Sequence, residues 1–274
     1  KDYLQANSNF TDYDFEGSNL SSILDVLAYN TYITSYNANM VANEVFLDSA
    51  TLRENVVSIA RNIGYLPKSR KAARATVSFF VDVSTVSPLP VSLILKKGPI
   101  ATSQGSFANS SFIFSIIDDI TVPVTNGIAV FSNIPIYEGP LLTQTFIFNP
   151  RDYNQRFILP NSGIDTDLMS VFVKDSETAT AAARYSRQDN LFGANQYTKS
   201  YFLQEVEDER YEILFGDGIF GQKLQEGNHI AVNYIRSNGD SGNGIANFTF
   251  NGRIIYERNA IEYNVTSGVS LLTT

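Results

Sequence analysis

Carboxylates are the side chains of this sequence best placed to do chemistry. Asp118 and Asp119 are adjacent, and Glu205, Glu207 and Glu209 recur at every second position beside Asp208 and Arg210. Two carboxylates about 5–10 Å apart across a sugar cleft can hydrolyse a glycosidic bond. Neighbours in a strand, such as Asp118 and Asp119, point to opposite faces. Residues 205, 207 and 209 would share one strand face. A charged face of that kind also makes a solvent-facing edge that resists pairing with other chains. The edge reading is preferred, and the spacing alone leaves the hydrolytic one open.

Other constellations are weaker. Asn238, Asp240 and Asn243, with glycines between them, resemble half of a calcium loop but lack the acidic residue at the twelfth position. The same residue types are what tight turns demand. Gly216, Gly218 and Gly221 spell G-x-G-x-x-G, with Lys223 beyond. A phosphate loop would need Ser or Thr after that Lys, and a dinucleotide fold would need a helix next; an acidic turn and a strand pattern follow instead. His229 is the only histidine and opens an apolar strand, and no G-x-S-x-G elbow is present. No catalytic, cofactor-binding or metal-binding residue is assigned, and no cofactor is called for.

Composition narrows the classes further. There is no cysteine, which removes disulfides, thiolate zinc sites and thiol catalysis. A net charge of −8 argues against wrapping nucleic acid or a polybasic membrane surface. No apolar run reaches the roughly 18 residues of a membrane span. The 274 residues suffice for one large or two modest domains. Fifteen Tyr and 19 Phe, with no Trp, favour a β-rich core. The chain starts at Lys1 and stops in LLTT, and reads as a fragment at both ends.

The elements that would position these residues fall into three parts. Residues 1–74 read as an N-terminal arm and a helical region. Tyr3, Phe10, Tyr13 and Phe15 make the arm aromatic; it packs either on its own helices or on a neighbouring subunit. Residues 19–42 read as a long helix with Ser18 or Asn19 as N-cap. Leu20, Ile23, Leu24 and Leu27 form one stripe, while Tyr29, Tyr32, Ile33 and Tyr36 extend the apolar surface beyond one face. Such a helix must be covered on more than one side. Residues 49–63 read as a second helix. Thr51 and Glu54 have capping-box spacing, Leu52, Val56, Ile59, Ala60 and Ile63 form the stripe, and Gly64 with Pro67 makes the stop. Lys68, Arg70, Lys71 and Arg74 read as a solvated linker ahead of a contact to an acidic partner or nucleic acid.

From Ala75 the period changes to two. Short apolar runs separated by Pro, Gly, Ser and Asn read as an antiparallel sandwich or meander across residues 75–250. The expected class is therefore α+β, helices first and a mostly antiparallel β domain after. Residues 175–200 break the rhythm and read as an irregular insertion, a candidate contact loop. Residues 251–274 read as the start of a C-terminal region that is cut short.

The most regular stretch is Tyr211–Phe250. Two alternating runs, Tyr211–Phe215 and His229–Ile235, flank FGDGIFG, and the second opens into SNGDSGNG. Gly216, Asp217, Gly218, Gly221, Gly227, Gly242 and Gly244 read as turn-forming positions. This stretch resembles the baseplate J family of contractile-tail phages, and within it the large baseplate wedge proteins of T4-like phages. The resemblance rests on Phe215 to Gly218, Gly221, Gly227, Tyr234 and Gly242 to Gly244. Two further blocks, Phe46–Phe79 and Phe157–Val173, follow in the family's order. What the resemblance implies is a structural subunit of the virion baseplate, assembled in the host cytoplasm. It would bind other wedge proteins and further copies of itself in a ring around the tail hub, and help couple host recognition to sheath contraction. It implies no catalysis, small-molecule substrate, nucleic acid or membrane span. The subunit interface would be built on Leu20, Ile23, Leu24, Leu27, Tyr32, Ile33, Tyr36, Leu52, Val56, Ile59 and Ile63. The alternatives are a glycan hydrolase using Glu205, Glu207 or Asp118, and a carbohydrate-binding β module with an exposed aromatic platform near residues 186–201.

Overall fold

The computed structural model describes residue 6 and residues 19–62, 69–103, 111–189 and 194–273, with backbone alone at 19, 20 and 61. Contacts divide the chain into two units, Lys1–Lys68 and Ser69–Thr274. The class is α+β, with helices first and mostly antiparallel sheets after.

In the first unit, helix α1 spans Asn19–Glu44 and helix α2 spans Arg53–Asn62. At 1.5 Å per residue α1 is about 39 Å long. It runs two residues past the expected end. Beyond it comes a turn in which the Ala50 N–H donates to the Phe46 carbonyl at 2.9 Å. Helix α2 starts at Arg53, later than the expected residue 49. The cause is Glu44, whose carboxylate reaches across the turn. It accepts the Thr51 N–H at 2.9 Å, the Thr51 hydroxyl at 2.6 Å, the Leu52 N–H at 3.3 Å and the Asn55 amide at 2.8 Å. Glu44, and not the Glu54 of a capping box, thus receives the Thr51 N–H. Ser18, Ile63, Gly64, Pro67, Lys68 and the aromatic arm lie outside the described residues, as does the side chain of Leu20.

Among the described residues the second unit holds three sheets. Strands β1 (Arg74–Asp82), β6 (Ile128–Glu138), β4 (Ile113–Ile116), β3 (Gly98–Ser103) and β14 (Phe248–Phe250) form a five-stranded sheet in that order. Strands β16 (Ile261–Val265), β15 (Ile254–Arg258), β2 (Ser92–Leu95) and β5 (Ile120–Pro123) form a four-stranded one. The two share one apolar core, with Val77, Phe79 and Val81 from one side and Leu93, Leu95 and Ile254 from the other. Phe79 stacks on Phe131 at 4.9 Å, and Phe114 meets Phe248 edge-on at 4.9 Å. Alternation along β1 turns Phe80 and Asp82 outward. Residues 254–265, expected in a separate C-terminal region, complete this sandwich.

The third sheet runs β7 (Leu141–Ile147), β13 (His229–Arg236), β9 (Ile164–Lys174), β10 (Ala183–Arg187), β11 (Ser200–Val206), β12 (Arg210–Phe215) and β8 (Phe157–Ile158). All its pairings are antiparallel except β10 with β11. Its edge strands approach each other through the Phe146–Phe157 ring pair at 5.5 Å. The sheet therefore curls around its own core of Val171, Tyr201, Ile213, Val232 and Tyr234. Two expectations change here. Residues 183–187, placed in the irregular insertion, are a strand in the middle of this sheet, with Tyr185 facing the core. Glu207–Glu209, expected to continue a strand, form a 3-10 turn between β11 and β12 with Asp208 at φ 61°.

The buried carboxylate of Glu138 joins the two β bodies. At the end of β6 it accepts the Ser237 hydroxyl at 2.7 Å and the Asn238 N–H and side-chain amide at 2.9 Å each, just beyond β13.

Candidate functional site

Helix α1 carries many exposed apolar side chains. At 100° per residue, Ile23, Leu24 and Leu27 lie on one side, while Tyr29, Tyr32 and Tyr36 lie on the opposite one. Ile23, Leu27, Tyr32 and Tyr36 are exposed, Tyr32 by 66% and Leu27 by 57%; Leu24 and Ile33 are half-buried. Asp25 and Glu44 are the only charged residues in 26, so no charged face is turned to water. Among the described residues no helix is long and apolar enough to cross a membrane. On α2 the buried positions are Val57 and Ala60, and Val56 and Ile59 are half-buried; Leu52, just ahead of the helix, is exposed. Val57 was outside the expected stripe, which ran one position to its side. Exposed apolar surface of this kind makes α1 a candidate interaction surface.

The β12–β13 connection is a second candidate. Phe215 anchors it, its ring packed against Phe157 at 5.6 Å and Tyr185 at 5.7 Å. The backbone then crosses itself: a Cβ on Gly216 would lie 2.3 Å from the carbonyl carbon and oxygen of Gly221. One carboxylate oxygen of Asp217 accepts the N–H groups of Ile219 at 2.8 Å and Phe220 at 2.9 Å. Those hydrogen bonds, the Phe220 one first, hold the Asp217 carboxyl below its ordinary value. The Gly221 N–H donates to the Asn195 carbonyl at 3.1 Å and the Gln222 N–H to the Thr198 carbonyl at 2.8 Å. Gly218, Gly221, Gly227 and Gly244 have positive φ, whereas Gly216 and Gly242 do not; Gly242 instead presses against the Glu138 side chain. The result is a rigid loop whose tip exposes Ile219 and Phe220.

The residues considered for chemistry are dispersed. Glu205 lies on β11 opposite Tyr211, and Glu207 lies in the turn beyond. Asp118, between β4 and β5, approaches Arg184 at 3.8 Å. Burial opposes ionisation of Asp119, but hydrogen bonds from Lys96 and the Lys97 N–H hold its carboxyl below the usual range. A glycosidase acid needs the opposite shift. His229 is half-buried, paired with Ile147 and Lys174 across the sheet. Asn238 binds Glu138, and residues 239–242 form a 3-10 turn. Of the aromatics described between 186 and 201, Tyr197 is exposed and Tyr201 buried, so these residues build no platform there. The basic linker is engaged by the chain itself. Arg70 pairs with Glu209 at 3.3 Å, Lys71 with Asp165 and Asp167, and Arg74 lies 5.9 Å above the Tyr137 ring.

Comparison with known proteins adds the context for these surfaces. Residues 1–65 match the family model described as baseplate wedge protein gp6-like, helical domain. Over 264 residues, 91% of this chain, the sequence is 25% identical to the baseplate wedge protein gp6 of Enterobacteria phage T4. The chain spans 38% of that protein's length. The matched helical domain contains both α1 and α2, and the likeness to the wedge protein runs on through the β unit.

Proposed function

We propose that this chain is a structural part of a contractile-tail phage baseplate wedge. Helix α1 supplies the surface that other wedge proteins or further copies cover, through Leu20, Ile23, Leu24, Leu27, Tyr32, Ile33 and Tyr36, with Leu52, Val56, Ile59 and Ile63 of the second helical segment beside them. The β unit, of the baseplate J kind, sets rigid spacing. Assembled wedges close around the tail hub, next to the start of the sheath, and transmit host recognition to sheath contraction. The chain works in the virion after assembly in the host cytoplasm, without catalysis or cofactor. One observation carries this reading: a long, nearly uncharged helix exposes apolar side chains on opposite faces, inside the segment that matches a wedge helical domain. Joints in a force-bearing ring call for large obligate interfaces.

Sedimentation velocity of the chain, alone and with the other wedge proteins of its virion, tests it. The wild type is expected to form a stable complex, and a Leu27→Glu, Tyr32→Glu variant to stay apart with its sheet signal intact. A chain that remains monomeric with every wedge protein refutes the proposal. So does cell-wall hydrolysis that Glu205→Gln abolishes.

A further inference from the structure

Residues 69–73 lie in no helix or strand and come directly after Lys68, where the first unit ends. Polar contacts lay them along the second unit. The Ser69 hydroxyl oxygen accepts the Thr166 N–H at 3.1 Å and the Thr166 hydroxyl at 2.8 Å. Arg70 lies across Gly163 and Gly239, where a Cβ would come to 3.4 Å from its side chain, and it reaches Glu209 at 3.3 Å. Lys71 pairs with Asp167 and stands 3.6 Å from one carboxylate oxygen of Asp165. The Ala72 N–H donates to the other oxygen of Asp165 at 2.9 Å.

Ala73 divides two kinds of attachment. It is buried, and its carbonyl accepts the Glu138 N–H at 2.8 Å. From Arg74 onward β1 is laddered to β6 and sends Val77, Phe79 and Val81 into the sandwich core. Ahead of Ala73 the contacts come from polar side chains, and those of Arg70 and Lys71 are 45% and 50% exposed. Exposed ion pairs contribute little to stability and are screened by salt. Parting them returns almost no apolar surface to water, since Ala72 is the one apolar residue among Ser69–Ala72. The anchors also keep partners of their own. Asp167 lies 3.7 Å from Arg187, which donates to the Thr166 hydroxyl at 3.1 Å, and Asp165 accepts the Asp167 N–H at 3.1 Å.

We propose that Ser69–Ala72 is a releasable strap, which lifts off the second unit about a hinge at Ala73 while both β cores stay folded. Segments with few apolar contacts and exposed hydrogen bonds are the ones that open locally in a native protein. An extended chain spans at most roughly 3.3–3.6 Å per residue, so four released residues add up to about 14 Å to the reach of the connection between the two units. The docked strap makes that connection short and defined; the released strap makes it long and free. A pull on the connection favours the longer state, because work is done over the added length. The inference rests on the contacts of residues 69–73 and does not depend on what covers α1.

Hydrogen exchange at the Ala72 N–H, resolved by NMR in the full chain, tests the release. Local lifting gives an exchange rate that does not change in low urea, while the core amides of Ile213 and Val232 exchange through urea-sensitive unfolding. A Ser69→Ala, Arg70→Ala, Lys71→Ala variant removes the side chains that hold the strap and touches neither core. It is expected to speed Ala72 exchange about tenfold or more without moving the core amides. Reach is read from spin labels at Ser35→Cys on α1 and Asn154→Cys on the second unit, both exposed positions in a chain without native cysteine. Labelled chain is diluted into unlabelled chain, so that only distances within one molecule are measured. The triple variant is expected to extend the longest distances by up to about 14 Å. The proposal is overturned if Ala72 exchanges together with the core amides and with their urea dependence, or as fast as a free peptide. It is equally overturned if the triple variant leaves Ala72 exchange or the label distances unchanged. All these outcomes leave the wedge reading standing, since that one turns on α1.

Discussion

Glu44 shows how one side chain sets the geometry between two helices. Its four hydrogen bonds, the Asn55 amide first, bring its carboxyl from 4.5 down to about 2. A carboxyl lowered in the folded state contributes stability that is complete above its unfolded value and is lost as pH falls through the folded one. The helical signal of the first unit is thus expected to weaken between about pH 4.5 and 2. Other carboxyls titrate in the same window, so the decisive comparison is Glu44→Gln, whose acid transition by circular dichroism should be shallower. Gly216 illustrates a different constraint. Its φ is ordinary, but a Cβ there would collide with the Gly221 backbone at 2.3 Å. Gly216→Ala is expected to destabilise the β unit by about 1–3 kcal/mol, the usual range for overpacking, measured by urea unfolding. Neither constraint was visible in the letters. Glu44 acts on residues seven to eleven positions ahead, beyond the reach of a local capping pattern. Gly216 in FGDG reads as a turn glycine, whereas its role is a backbone crossing.

Elements were legible wherever the period was clean. Tyr211–Phe215 and His229–Ile235 alternate and form β12 and β13, two separate strands that both contribute to the curled sheet's core, and α1 follows its expected span to within two residues. Legibility failed where a run was short or polar. The strand Ala183–Arg187 carries one core-facing aromatic, Tyr185, so its five letters resemble a loop, and the two flanking strands hold it in place. The failure at Glu207–Glu209 has the opposite cause. Alternating carboxylates imitate a strand face, and the positive φ of Asp208 and Glu209 turns the chain instead. The same alternation supplies a test of the β12 register. Ile213 is fully buried and its neighbour Leu214 is 40% exposed. Ile213→Ala is expected to cost about 2–5 kcal/mol, and Leu214→Ala no more than about 0.5 kcal/mol. Equal effects in chemical denaturation would mean that the register is wrong. The candidate interface was legible for a related reason: a helix with two charges in 26 residues shows in its letters that it lacks a solvent face, although not what covers it.

The rigid spacing proposed for the second unit depends on how the sandwich and the curled sheet are joined. Glu138 is 1% exposed at the end of β6, and all three of its carboxylate hydrogen bonds go to Ser237 and Asn238, which follow β13. Its own N–H donates to the Ala73 carbonyl at 2.8 Å, which ties the incoming chain to the same point. Asp165 adds a second tie by accepting the Ala72 N–H at 2.9 Å. Hydrogen bonds to a charged group contribute about 1.5–3 kcal/mol each, and donors left buried without an acceptor carry a further penalty. Glu138→Ala is therefore expected to cost about 3 kcal/mol or more. In a domain of this size that is a fall of roughly 6–12 °C in melting temperature. Calorimetry carries the sharper readout. With the joint intact, the two β cores should unfold in one transition; with Glu138→Ala, the curled sheet and the sandwich should separate into two. A single sharp transition in the variant would show that the cores are coupled elsewhere. The rigid spacing assigned to this unit would then not depend on the Glu138 joint, since a body that stays cooperative without that carboxylate transmits force by another route.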